Sequence, residues 1–546
     1  MSDQKNPQVN QGGKAIAIIV MFFMFAMIAF VTNLAAPIGT IWGYQFEGNS
    51  FLGMLGNMMN FLAYLFMGIP AGKLLMKVGY KKTMLWALAV GAIGMAVQYA
   101  SSMWGGEIHV AQSTVTVMED INGVEYPVTK TMGIALNFII YLLGAFIAGF
   151  SVCMLNTVVN PMLNLLGGGG NKGNQLIQTG GTMNSLAATL TPFLVGVLIG
   201  QLTPETQLSN VDALLWIAIG IFLAAFVIIS FVKIPEPRQN NASVKKVKNA
   251  HSPWHFRHTL LGFIGIFIYV GIEVGIPGTL MFYLSDQKST GAGILGDAST
   301  IAGAIVAIYW LLMLVGRFIS SIISGKISTK TQLLSVSGAG VILIVMAIFS
   351  AKESKFEVPG FIYNPVEKTS ATLAAAGMPE NEIQNFIASP NEAALAPYTQ
   401  TSVVNTQEGP INKTVLIKST KQPYEIMNAL ENAPGVPIAA IFLVICGLCT
   451  SVMWGGIFNL AVEGLGKYTE PASGIFMMFV VGGGVIPLVQ QLIANSQGYM
   501  TSYWLQVACM GYVFLYALWG CTNVNKNIPV DDEETNSLKE QILNAE

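Results

Sequence analysis

Gly271-Ile272-Glu273-Val274-Gly275 lies inside an apolar run from about Leu260 to Leu284. A helix of that length crosses the roughly 30 Å hydrocarbon core of a bilayer, which puts Glu273 near the midplane. A carboxylate there costs about 2.5 kcal/mol or more unless it faces a cavity or a partner. An ionisable residue kept at that cost is a functional candidate by default, and the rest of the chain must supply its setting.

Of the 546 residues, 53% are hydrophobic and 10% are charged. Soluble domains carry roughly 25% charged residues, so the composition reads as a polytopic membrane protein. The 57 glycines suit close helix contact in lipid. Cys446 and Cys449 have the spacing of a redox or metal pair, but without a second pair or a nearby His they read as packed helix residues. The four His lie in or beside loops and form no zinc-like cluster. The first apolar run is too long for a signal-peptide core, so it is expected to be retained as a span.

Apolar runs of bilayer length number twelve, at roughly 15–43, 51–77, 83–105, 132–163, 175–202, 211–233, 258–285, 297–324, 332–351, 436–464, 474–495 and 499–521. With the N-terminus inside, the inner segments collect Lys73, Lys77, Lys81, Lys82, Lys245, Lys246, Lys248, Lys326 and Lys330 among others. The short outer loops hold only Lys130 and Lys288. This asymmetry puts both termini in the cytoplasm. The expected fold is an all-α membrane protein of twelve transmembrane helices in two six-helix pseudo-repeats.

An inner tail (1–14) leads into a first bundle (15–233) with an outer insertion at 106–131. A basic inner linker (234–257) leads into a second bundle (258–521) with an outer insertion at 352–435, and an inner tail (522–546) follows. The turns Gly72-Lys73-Leu74 and Gly325-Lys326-Ile327 are a faint echo of a six-plus-six repeat. Residues 352–435 are long for a connection. They read either as a solvent-facing loop or as a small folded lid, with an amphipathic helix near Gly377 to Phe386.

Several spans carry polar residues at helical spacing: Asn57, Asn60 and Tyr64; Asn156, Asn160 and Asn164, with Pro161; Gln178, Thr182, Ser185 and Thr189; and Tyr269, Glu273 and Pro277. Lipid offers such groups no partner, so the stripes face one another or water. Singly, each is a helix cross-link worth about 0.6 kcal/mol; together with Glu273 they outline a polar cavity. Amides supply donors and acceptors, and Trp42, Tyr309, Trp310 and Trp454 supply aromatic faces, a set suited to neutral polyhydroxylated ligands. An organic anion would need an inward cation. The one candidate, Arg317, reads as lying at the inner end of the eighth span, so anionic substrates are disfavoured.

These residues resemble the major facilitator superfamily and, within it, the fucose permease-like and glucose/galactose sugar:proton symporters. The resemblance rests on Ile69-Pro70-Ala71-Gly72, Asn156-Thr-Val-Val-Asn160-Pro161, Met183-Asn184-Ser185, Tyr269-Val-Gly-Ile-Glu273-Val, Tyr309-Trp310 with Val315-Gly316-Arg317, Ile457-Phe-Asn to Lys467, and Gly482-Gly483-Gly484 to Pro487. It covers both halves and leaves out mainly the two outer insertions. It implies a major facilitator fold and a secondary transporter importing a neutral mono- or small oligosaccharide across the inner membrane by alternating access. Asn33, Asn156, Asn160, Gln178, Asn184, Glu273 and Trp454 would line its site.

The departures matter too. Ala36 and Asn156 stand where fucose permease-like members carry coupling acids, and Met76 stands near the superfamily's usual inner-loop Asp. Glu273 matches an acidic position of the glucose/galactose branch and is the candidate proton site; its other reading is a ligand-binding or structural group. The alternatives are a sugar uniporter and a non-transporting sugar receptor. An enzyme is not expected, because no catalytic set such as His-Glu-x-x-His occurs. Beyond sugar, proton and lipid bilayer the resemblance implies no nucleic acid, metal or cofactor, and a monomer.

Overall fold

The computed structural model describes residues 11–46, 50–168, 170–199, 206–232, 234, 251–286, 291–294, 298–360, 363–419, 421–431, 434–525 and 527–530. Most of the expected basic linker and the ends of both tails lie outside these residues.

The first span is Gln11–Gln45. The second and third are one unbroken helical trace, Ser50–Met103, bent where Gly79 takes φ 84° and ψ 177°. At 1.5 Å per residue this trace is about 80 Å long, far more than one crossing, so the bend separates two passes. Spans four to nine are Leu136–Gly167, Gly170–Ile199, Asp212–Phe231, Arg257–Ser285, Ala298–Ile323 and Thr329–Phe349. The tenth is Ala439–Thr450 continued by Met453–Val462, and the eleventh is Thr469–Met478 continued by Gly482–Gln497. The twelfth, Tyr499–Leu515, runs on into a π turn at Tyr516–Gly520.

Among the described residues, nine helical stretches are long and apolar enough to cross a membrane, the bent helix counting once. The fifth and twelfth spans fall outside that set. Gln175, Gln178, Thr179, Thr182, Asn184 and Ser185 crowd the first half of the fifth. Burial is inverted relative to a soluble protein. Asn156, Asn160, Gln178 and Gln506 are buried, while Ile19, Trp86, Leu143, Trp216, Phe349 and Leu492 are exposed. Such a surface is stable only against hydrocarbon, so the chain is a multi-pass membrane protein.

Among the described residues, strands occur only within and at the edges of the two insertions. Residues 106–131 were expected to be a connection with a helix from 132. Instead β1 (His109–Ile121) and β2 (Val124–Ala135) form a long hairpin, and the fourth span starts at Leu136. Its turn is Asn122-Gly123, with φ 56° and 85°, the left-handed pair that a two-residue type I′ turn requires. Between the ninth and tenth spans, β3 (Lys355–Glu357) pairs with β6 (Gly435–Pro437) as a neck. Above it β4 (Thr399–Thr406) and β5 (Gly409–Leu416) form a second hairpin. It packs with helices Pro365–Ala375, Glu380–Ala388 and Pro423–Glu431 around Leu373, Ile383, Phe386, Leu395 and Leu416. Residues 352–435 thus form a small folded unit rather than an open loop. Both insertions join in one sheet of order β1-β2-β4-β5, which defines a cap end. The opposite end carries Lys73, Lys77, Lys81 and Lys82 and is called the basic end.

Toward the basic end the two sets of six spans touch closely. A Cβ on Gly68 would lie 2.6 Å from the Gly474 carbonyl oxygen, and one on Gly474 would lie 2.7 Å from the Gly68 oxygen and 2.9 Å from Gly72 Cα. Only glycines permit this approach of the second and eleventh spans. Asn174 donates to Ser324 at 3.0 Å, Asn164 to Asn459 at 2.8 Å, and Ser473 to the Thr157 carbonyl at 3.3 Å. Toward the cap end the second and eleventh spans leave a shallow pocket lined by Met54, Asn57, Met58, Gly484, Pro487 and Leu488. Gly474→Val should therefore disfavour closure at the basic end by about 1–3 kcal/mol, the usual cost of overpacking. Raised thiol labelling of Ser324→Cys, a buried position at the same end that faces Asn174 of the other half, checks it in that variant, and unchanged labelling would show that the glycines do not set the closure.

Candidate functional site

Glu273 sits in mid-span with Tyr269 and Pro277 one turn to either side. Its Oε1 accepts a hydrogen bond from Arg317 Nη2 at 3.0 Å. The same nitrogen lies 3.5 Å from the Tyr269 hydroxyl. The other terminal nitrogen, Nη1, crosses to the N-terminal six and donates to the Gly181 carbonyl at 3.1 Å and to Asn184 Oδ1 at 3.2 Å. One guanidinium thus binds a carboxylate on its own half and a backbone and an amide on the other. The glutamate side chain keeps 17% of its surface accessible against 7% for the arginine, so the carboxylate borders open space rather than solid packing.

A second limb runs from Tyr269. Its ring meets Trp454 edge-on at 6.3 Å, and Trp454 Nε1 donates to Asn160 Oδ1 at 3.0 Å. Asn160 donates to the Asn156 carbonyl at 2.9 Å, as expected for a side chain folding back one turn, and Asn156 donates to the Tyr64 hydroxyl at 2.9 Å. Gln178 reaches the break in the tenth span, donating to the Val452 carbonyl at 2.9 Å. Asn184 also donates to the Phe25 carbonyl at 3.0 Å, pinning the fifth span to the first.

Six of the seven residues expected from the sequence are therefore engaged in or beside one polar system between the two halves. Asn33 stands apart. Its amide donates to the Ala29 carbonyl of its own helix at 2.8 Å, and it lies eight residues, about 12 Å of helix, beyond the Phe25 carbonyl that holds Asn184. Trp42 is not available to the site either, because it is buried against Phe46, Phe138 and Tyr141. Trp310 packs edge-on to Tyr309, whose hydroxyl pairs with Thr450 at 3.0 Å.

Arg317 is the residue the sequence reading misplaced. Its backbone is near the basic end of the eighth span, but the side chain is buried and extends toward mid-span. A polar stripe was available in the sequence: Tyr309, Arg317, Ser320 and Ser324 fall on one helical face. The site holds a cation after all, but one already neutralised by Glu273.

A buried pair of this kind is costly to break and cheaper to delete, since a lone charge is left without compensation. Arg317→Ala should destabilise the folded protein by about 3–5 kcal/mol, and adding Glu273→Ala should recover part of that loss. Thermal unfolding in detergent of the two single variants and the double variant checks it; additive losses would mean the pair does not interact.

The major facilitator superfamily model matches residues 16–358. Over 522 residues the chain is 25% identical to the glucose/galactose transporter of Brucella abortus, covering 95% of this chain and 96% of that one. It is 23% identical over 520 residues to a putative glucose/galactose transporter of Helicobacter pylori, covering 92% and 96%. Among solved structures, the transporter FucP in its outward conformation superposes with a TM-score of 0.62 at 16% identity, over 93% of this chain and 99% of that one. A family model spanning more than half of the chain, and a shared fold over nearly all of it, lead to one conclusion: the chain belongs to the major facilitator superfamily.

Proposed function

We propose that the chain is a sugar transporter that imports a neutral sugar of hexose size across the inner membrane, with both termini and the basic end in the cytoplasm. Full-length similarity to two glucose/galactose transporters supports the substrate class. The lining chemistry fits it: amides of Asn156, Asn160, Gln178 and Asn184, the Trp454 face, and an Arg317 neutralised by Glu273. Asn60 Oδ1, one turn from Tyr64, is buried without a hydrogen-bond partner, a state that a ligand hydroxyl would relieve. The concentration of Lys at the basic end supports the orientation.

The observation that carries the coupling reading is the double grip of Arg317. With Glu273 ionised, the guanidinium is fixed between the halves and ties Gly181 and Asn184 of one to Glu273 of the other. A proton on Glu273 removes the charge that holds Arg317, and sugar hydroxyls can take over the contacts it gives up. Proton and sugar then act on the same tie, which is what a symporter needs: each ligand alters the balance between the two states only through a difference in its contacts with them. The uniporter reading draws on the same geometry, since a Glu273 that never leaves Arg317 has no proton to carry.

In proteoliposomes, Glu273→Gln should abolish galactose- or glucose-driven proton uptake while sugar counterflow persists, because the neutral amide imitates the protonated acid. Proton uptake that survives in this variant would remove Glu273 from the coupling. Counterflow absent from the unaltered protein with every hexose tried would remove the transport reading.

A further inference from the structure

The two insertions belong to different halves yet fold as one unit. The β1–β2 hairpin is continuous with the third and fourth spans and is stitched at its base by hydrogen bonds from Leu136 to Ile108 at 2.7 Å and from Asn137 to Gly105 at 3.3 Å. The 352–435 insertion is fixed to the ninth and tenth spans by the β3–β6 neck. The hairpin arm, thirteen residues in β1, reaches about 40 Å at 3.3 Å per residue.

At the far end of the arm the insertions interlock. Val128 of β2 pairs with Thr406 of β4, and Gln407 N donates to the Pro127 carbonyl at 3.0 Å. The hairpin tip is clasped by Gln422, whose Oε1 accepts from Asn122 N at 2.7 Å and whose Nε2 donates to the Asp120 carbonyl at 3.0 Å. Asn122 Nδ2 donates to the Asn412 carbonyl at 3.0 Å. Glu119 is held by Lys413 from the opposite insertion at 2.7 Å and by Lys130 from its own hairpin at 3.0 Å. Burial alone would raise the Glu119 carboxyl, but the hydrogen bonds and charges of Lys413 and Lys130 more than offset it and hold it below the usual range. Ile121, Val128 and Gln422 are buried.

The geometry points to the cap as a tether: the joint stays closed through the cycle and limits how far the two halves part at the cap end. A joint with main-chain pairing, a buried glutamine clasp and a half-buried ion triad is held by several independent contacts. The hairpin gives the complementary reason. A lone two-stranded ribbon is marginal in water, so an arm that let go would lose its own fold. The relative motion of the halves is then taken up by twisting of the ribbon, the most deformable part of the path. The tether acts on whatever the transporter carries, so it rests on the alternating-access reading and not on the sugar.

Spin labels at the exposed positions 103 and 497, the cap ends of the third and eleventh spans, report the separation of the halves without any substrate. Lys413→Glu with Gln422→Ala should shift that distance distribution to longer values. Cysteines at 128 and 406 face each other across an antiparallel pair, about 5 Å between Cα atoms, which suits a disulfide. The described native cysteines are all buried and free, which favours selective reaction at the new pair. Oxidising the pair in the severed variant should restore the shorter distances, separating loss of the joint from loss of fold. Oxidising it in the otherwise unaltered protein should leave galactose counterflow, or the distance change if no hexose moves, intact. The tether is overturned if severing leaves the distances unchanged, or if the disulfide reversibly arrests exchange or the distance change.

Discussion

Lipid hydrocarbon offers no hydrogen bonds, so every polar group that a span carries must be answered by protein. The Glu273–Arg317 pair is the hardest case of that rule in this molecule, and much of the surrounding architecture answers it. Two opposite charges are held at 3.0 Å. The spare guanidinium nitrogen is consumed by a carbonyl and an amide from the other half. Gly181 gives the arginine room, since a Cβ there would press within 3.3 Å of Arg317 Cδ. The first half of the fifth span carries Gln178, Thr182, Asn184 and Ser185, and it supplies the opposing wall.

The same rule explains why the two ends of the molecule are joined by different means. At the basic end the second and eleventh spans meet backbone to backbone through Gly68, Gly72 and Gly474, a contact that dispersion and close packing can sustain in an apolar medium. At the cap end the joint lies beyond the spans, where strands, charged triads and exposed turns are stable in water. A connection that must release and re-form suits the short-range glycine contact. A connection with its own folded core suits permanence.

Some features were readable without coordinates. Hydropathy located the passes to within a few residues, since the length of a span is imposed by the bilayer rather than by neighbours. The stripes on the fourth and fifth spans were readable too, because helical spacing alone puts Asn156 and Asn160, or Gln178 and Ser185, on one side. The β hairpin was readable but overlooked: Ile121-Asn122-Gly123-Val124 is a strong two-residue turn signal, lost among residues taken for a connection. Arg317 was noticed but misplaced, for a different reason. Its Cα lies near one end of its span and its charge near the middle, and a linear reading places a residue at its Cα.

The sequence by itself determined that this protein lives in a bilayer, how many times it crosses, and which faces of its helices are polar. These follow from local chemistry repeated along the chain. Only the tertiary structure decided which polar faces meet: that Arg317 neutralises Glu273, that Asn33 and Trp42 stand apart from the site, and that two insertions more than two hundred residues apart close into one sheet. The physical reason is that a pairing between distant segments depends on helix rotation, tilt and side-chain reach. Those quantities are settled by packing against neighbours and leave no periodic trace in the chain.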